Sequence, residues 1–199
     1  MLSARLILPD EPPKVLDMPT LQRKNKAAAD IKAQTWECKF CDQPMTPRIG
    51  AVRSWHFAHK PRASPCPFES ESEHESDHHR LLKMTSAEAL RRYFGEQVQS
   101  LEYEVRLKEA GRIADALIIL KDESRIAVEA QLANITFEAL QERTYSYIDA
   151  EIEVIWVFLE ERVKQNGPWR AYREWLLAEG CLVLTATSVI EEKTLPMAT

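Results

Sequence analysis

No stretch of this chain approaches the roughly 18 consecutive apolar residues that a membrane-spanning helix needs, so a helical integral membrane protein is excluded. The opening segment, MLSARLILPDEPPK, has too short an apolar run for a secretory signal, and prolines follow it at once. Positive charge is also lacking. The net charge of −5 argues against a protein that coats nucleic acid by bulk charge alone. No internal repeat is visible. Cysteines number only 4, and without a signal they are expected as reduced thiols in the cytoplasm. What remains is the composition of a globular protein, 45% hydrophobic and 29% charged. Its 199 residues suit one domain of ordinary size with a small appendage.

The charge is unevenly spread. Residues 1–68 carry 11 Lys and Arg against 6 Asp and Glu, a balance of +5; the rest of the chain carries 15 against 25, a balance of −10. A basic segment beside a carboxylate-bearing core is compatible with phosphate binding by the first and metal binding by the second.

Residues 1–35 read as an irregular, proline-bearing arm with a strand near Lys14–Met18 and a helical turn or two beyond it. Residues 36–70 form a compact cysteine and histidine segment. Cys38 and Cys41 lie in WECKFCDQPM, and His56, His59 and Cys66 in WHFAHKPRASPC. Two thiolates with two residues between them, followed by His and Cys, match a tetrahedral Cys₃His zinc site with four protein ligands and a structural role. His59 is the expected fourth ligand, with His56 as the alternative. A redox CxxC is the competing reading, but Asp42-Gln43-Pro44 does not open a helix as a thioredoxin-type motif would. Around the module, Arg48, Arg53, Lys60 and Arg62, together with Arg112 further on, are candidate phosphate contacts, able to hold a nucleic-acid backbone without reading its sequence.

Residues 69–79, ESESEHESDHH, read either as an acidic linker or as a helix start. Ser72 and Glu75 have the spacing of a capping box, which favours a helix running to Phe94 and stopped by Gly95. On that helix Glu75, His79, Leu82, Lys83, Ser86 and Leu90 share one face. Strands follow at about 98–107, 112–120 and 125–131, then a helix at 137–150, a strand at 153–159, a helix at 169–178 and a last strand at 181–187. That order is a mixed α/β (α+β) sheet flanked by helices, in a domain over 71–190, with residues 191–199 as a tail.

The stretch GRIADALIILKDESRIAVEAQ is two apolar strands joined at Lys121-Asp122-Glu123. A hairpin turning at Asp122 sets Asp115 across from Glu129, and facing Cβ atoms lie roughly 5 Å apart. Acidic residues on a hairpin are ordinarily solvent-facing. Here the flanking runs of Ile, Leu, Val and Ala imply burial on both faces, and two buried carboxylates need a cation. Hard oxygen ligands suit Mg²⁺ or Mn²⁺. Gln131 points to the same face as Glu129. This is the donor set of a metal-dependent phosphodiesterase.

Taken in order, CxxC, HFAH (His56–His59), ESxxHxxxK (Glu75, Ser76, His79, Lys83), RIAD (Arg112–Asp115), EAQ (Glu129–Gln131), Arg143 with Tyr147 and the IWVF strand resemble the competence protein CoiA family, a branch of the PD-(D/E)XK nuclease superfamily. The resemblance implies a restriction-endonuclease-like αβββαβ core behind a small N-terminal zinc-binding module. It implies a Mg²⁺- or Mn²⁺-dependent nuclease acting on DNA in processing, recombination or defence, with Asp115 and Glu129 as metal ligands. The superfamily pattern has Lys where this chain has Gln131, so Lys83 or His79, with Glu75 nearby, is expected to complete the catalytic set. A non-catalytic nucleic-acid-binding or protein-interaction module that keeps the nuclease fold is the alternative. Arg143 and Tyr147 read as core or phosphate contacts.

Overall fold

The computed structural model describes residues 1–51, 53–60, 66, 76–132, 134–160 and 168–187. It divides into two units, Met1–Arg80 and Leu81–Thr199.

In the first unit, β1 (Ser3–Leu8) and β2 (Glu11–Asp17) form an antiparallel hairpin. The turn is Pro9-Asp10, and Asp10 takes a left-handed φ of 62°, which Asp tolerates better than most residues. The strand expected near Lys14–Met18 is β2, but the stretch before it is strand β1 rather than irregular chain. Pro12 and Pro13 lie on β2, an edge strand of the five-stranded sheet β2-β1-β3-β4-β5, the place where a sheet tolerates proline. Asp17 ends β2 and caps α1 (Met18–Arg23), accepting from Thr20 N at 2.7 Å. After α2 (Ala28–Ala33) come β3 (Thr35–Glu37), β4 (Pro44–Arg48) and β5 (His56–His59). Leu2, Met18, Ile31, Trp36 and Phe57 are buried. Trp36 stacks obliquely on Phe57 at 4.7 Å and donates its indole N–H to Ile31 O at 2.8 Å.

The helix α3 (Asp77–Phe94) starts later than the capping box suggested. Ser72 and Glu75 lie outside the described residues, and it is Ser76 Oγ that accepts from His79 N at 3.1 Å. Gly95 follows with a φ of 55°, a conformation open to glycine at little cost. Leu82, Lys83, Ser86, Ala87 and Leu90 form its buried stripe.

In the second unit, β6 (Val98–Leu107), β7 (Arg112–Leu120) and β8 (Arg125–Gln131) are antiparallel. The chain then crosses through α4 (Phe137–Ile148) to β9 (Glu153–Leu159), parallel to β8. It crosses again through α5 (Pro168–Ala178) to β10 (Leu182–Ala186), parallel to β9. Parallel neighbours require such crossovers. The sheet order is β10-β9-β8-β7-β6. Leu117, Ala127, Leu140, Tyr147, Trp156, Phe158, Trp169 and Leu176 share one core. Trp156 is fully buried, and Trp156→Ala would cost about 3–5 kcal/mol. No helix among the described residues is long and apolar enough to cross a membrane.

Candidate functional site

Each unit carries a cluster of chemically reactive side chains. In the first, β3 runs into a tight turn in which Asp42 N donates to Cys38 O at 3.0 Å and Cys38 N to Gln43 O at 2.8 Å. Asp42 makes the reversal with a φ of 60°. The turn sets Cys38 and Cys41 side by side, and β5 brings His59 to them. The ligand atoms of Cys38, Cys41, His59 and Cys66 all lie within 4.8 Å of one another. Cys38 Sγ is 3.8 Å from Cys66 Sγ, and Cys41 Sγ is 3.3 Å from His59 Nε2. A tetrahedral zinc with Zn–S bonds of about 2.3 Å has S···S edges of about 3.8 Å. The donor set and spacing fit zinc, and this Cys₃His group could hold that metal. Burial pushes the Cys38 thiol up to about 12, and a bound cation would favour the thiolate instead. His56 lies elsewhere: its Nδ1–H donates to Ser54 O at 2.8 Å, and burial holds the imidazole below its ordinary pKa.

In the second unit the β7–β8 register pairs Ala116 with Val128 and Ile118 with Ile126, as a hairpin turning at Asp122 requires. Asp122 Oδ1 accepts from Ser124 N, and Glu123 closes the turn with a φ of 71°. The ladder stops one step short of Asp115 and Glu129. Asp115 Oδ2 instead accepts from Ala130 N at 2.9 Å. The two carboxylates thus stand where the strands part. Glu129 is 1% exposed, and Asp115 is 17% exposed.

Both carboxylates have protein partners. Lys83 Nζ lies 3.5 Å from Asp115 Oδ1 and 3.3 Å from Glu104 Oε1. Arg143 bonds Glu129 Oε2, and the Tyr147 hydroxyl donates to Glu129 Oε1. Arg143 also lies over the Trp156 ring at 5.6 Å. Burial first, and the Glu129 charge second, raise Tyr147 above its ordinary pKa, so the phenol stays protonated and donates. Arg143 and Tyr147, read from the sequence as core or phosphate contacts, are the two anchors of Glu129. Lys83, at 1% exposure, is no surface lysine. Gln131 is half-buried at the end of β8, on the face of Glu129.

Glu104 was missed. In VQSLEYEVRL it falls on the outward phase of the alternation set by Leu101, Tyr103, Val105 and Leu107. A φ of 56° turns it inward, and it is fully buried. No pattern of residue types marks that reversal.

Other sequence candidates are scattered. His79 is half-buried on α3, one turn before Lys83. Arg112 is ion-paired to Glu142 at 2.7 Å and Arg53 to Asp77 at 3.5 Å. Arg48 and Lys60 are exposed. Glu75 and Arg62 lie outside the described residues.

No curated protein matches the chain. Two family models do. Competence protein CoiA, N-terminal domain, matches residues 20–69, which hold Cys38, Cys41 and His59. Competence protein CoiA, nuclease-like domain, matches residues 75–176, which hold Lys83, Glu104, Asp115, Glu129, Arg143 and Tyr147. The second match alone spans more than half of the 199 residues, and the chain therefore belongs to the competence protein CoiA family.

Proposed function

We propose that this protein is a Mg²⁺- or Mn²⁺-dependent nuclease that hydrolyses phosphodiester bonds in DNA, built on a PD-(D/E)XK core with a structural zinc in its N-terminal unit. The observation that carries the reading is the convergence of Asp115, Glu129 and Lys83 at the parting of β7 and β8, inside the segment that matches a nuclease-like domain. Asp115 and Glu129 would hold the divalent ion. Each of their oxygens has two lone pairs, so an oxygen that accepts one hydrogen bond can still bind a metal. When bound, such an ion polarises the scissile phosphate and lowers the pKa of a water.

The chain's own residues do the rest. Arg143 and Tyr147 fix the Glu129 carboxylate from both sides. Ala130 N–H fixes Asp115. Gln131 can orient a water through its amide but supplies no positive charge. Lys83 supplies that charge from α3, where it offsets the negative charge that develops as the phosphodiester is attacked. Arg48 and Lys60, exposed on the first unit, would hold the phosphate backbone. The cytoplasm, where thiols stay reduced, suits four cysteines that form no disulfide.

A second reading has its own support. Glu129 is already bonded by a cation and a phenol, and Gln131 stands where the wider pattern has Lys. A nuclease fold kept for binding alone would look like this. Nicking of supercoiled plasmid in Mn²⁺ by wild type, lost in Asp115→Ala, supports the nuclease. Plasmid binding without any cleavage by wild type supports the second reading and rejects the first.

A further inference from the structure

Glu104 sits in the middle of β6 with a left-handed backbone and no solvent exposure. The pairing on either side of it is regular, Tyr103 with Ala116 and Val105 with Ala114, so no inserted residue explains the twist. A non-glycine residue in that conformation is strained, and such strain persists only where the surroundings enforce it. Its result is to bury a carboxylate against a buried lysine. A buried ion pair is weak evidence for stability, since apolar residues of the same volume would hold the core at least as well. The arrangement calls for another role.

The charges around the carboxylates point to one. Among the described residues joined in these ion pairs, Asp115, Glu129 and Glu104 are formally negative, and Lys83 and Arg143 positive, which leaves one net negative charge. Without Glu104 the set is neutral: Lys83 cancels Asp115 and Arg143 cancels Glu129. In a site this buried, a neutral set has little attraction for a divalent cation.

We propose that Glu104 is a positioning residue for the metal site: its carboxylate holds Lys83 Nζ and offsets its charge, so that Asp115 and Glu129 keep the net negative charge that binds Mg²⁺ or Mn²⁺. This rests on the reading of Asp115 and Glu129 as metal ligands. It also explains how a lysine can lie 3.5 Å from a ligand oxygen without displacing the metal.

The test is Mn²⁺ titration, by calorimetry or by the Mn²⁺ paramagnetic resonance signal, of the zinc-loaded 199-residue chain and four variants whose folding is checked by circular dichroism. Glu104→Gln should bind Mn²⁺ on the order of tenfold more weakly than wild type. Lys83→Met should bind on the order of tenfold more tightly than wild type and yet cleave more slowly. The double variant, Lys83→Met with Glu104→Gln, regains the wild-type net charge and should regain wild-type affinity. A residue that mattered only to packing would leave the double variant worse than either single one. If Glu104→Gln does not fold, adding it to Lys83→Met should still weaken binding tenfold. Asp115→Asn is the control. Wild-type affinity in Glu104→Gln, or no recovery in the double variant, overturns the inference while loss of binding in Asp115→Asn leaves the metal site standing. Unchanged Mn²⁺ binding in Asp115→Asn overturns both.

Discussion

The two units solve the problem of buried polar groups in opposite ways. In the first, the ligand atoms of Cys38, Cys41, His59 and Cys66 all lie within 4.8 Å of one another. They come from turns and strand ends, and a metal is the natural cross-link. In the second, every carboxylate at the site has a protein partner: Lys83 for Glu104 and Asp115, Arg143 and Tyr147 for Glu129. On the proposed reading, a zinc ion would close the first cluster, whereas the carboxylates of the second are already held by protein groups.

Removing the zinc is the strongest way to break that contrast. Structural zinc contributes about 10–16 kcal/mol to the folding of small modules. Chelation, or Cys38→Ser with Cys41→Ser, should unfold the first unit and leave the second intact. Hydrogen exchange would read this as full exchange of the β1–β5 amides beside continued protection of β7 and β8. Protein purified without chelator that carries no zinc, yet protects β1–β5, would end the idea.

Next in size is the loss of a carboxylate. Asp115→Ala and Glu129→Ala should each lower Mn²⁺-dependent cleavage on the order of 10³-fold, with zinc content unchanged. Cleavage that persists in these variants would move the chemistry away from the β7–β8 parting.

A smaller effect is expected at Tyr147. Tyr147→Phe removes a donor from a buried carboxylate, and hydrogen bonds to charged groups are worth about 1.5–3 kcal/mol. The second unit should lose that much in urea unfolding, and the first nothing. An unchanged midpoint would mean that Arg143 alone holds Glu129.

The smallest effect sharpens the comparison in the first unit, at the partly exposed Asp77. Burial acts to raise the pKa of Asp77, but the Arg80 hydrogen bond and charge, the Ser54 hydroxyl and Arg53 outweigh it, so the value is lowered. A carboxylate with a lowered folded pKa stabilises above its unfolded value near about 4 and loses that contribution as pH falls through the folded one. With Asp77 32% exposed, the gain is about 0.5 kcal/mol. Asp77→Asn should narrow the stability difference between pH 5 and pH 3 by that amount; a wider difference would contradict the sign.

Much of this molecule was legible in its residues. Apolar runs and turn signals set β6 to β10 and the helices between them, because those patterns act over a few residues. The Asp122 turn determined the register that brings Asp115 toward Glu129, since a hairpin's pairing follows from its loop. Cysteine and histidine spacing named the four residues that the fold brings together. Of the hairpin β1–β2 only the second strand was legible, because prolines that break a central strand are harmless on an edge, and which strand becomes an edge depends on β3 to β5. Nor were the partners of the carboxylates. Lys83 and Glu104 are separated by 21 residues, and Glu129 and Tyr147 by 18, distances over which no periodicity reaches. Glu104 was hidden twice, by its outward phase and by its distance from Lys83. By itself the sequence determined which cysteines and histidine could hold a metal in the first unit, and on which strands Asp115 and Glu129 lie. The tertiary structure alone decided which charges face each other, because a buried charge is defined by whatever the packing brings to it.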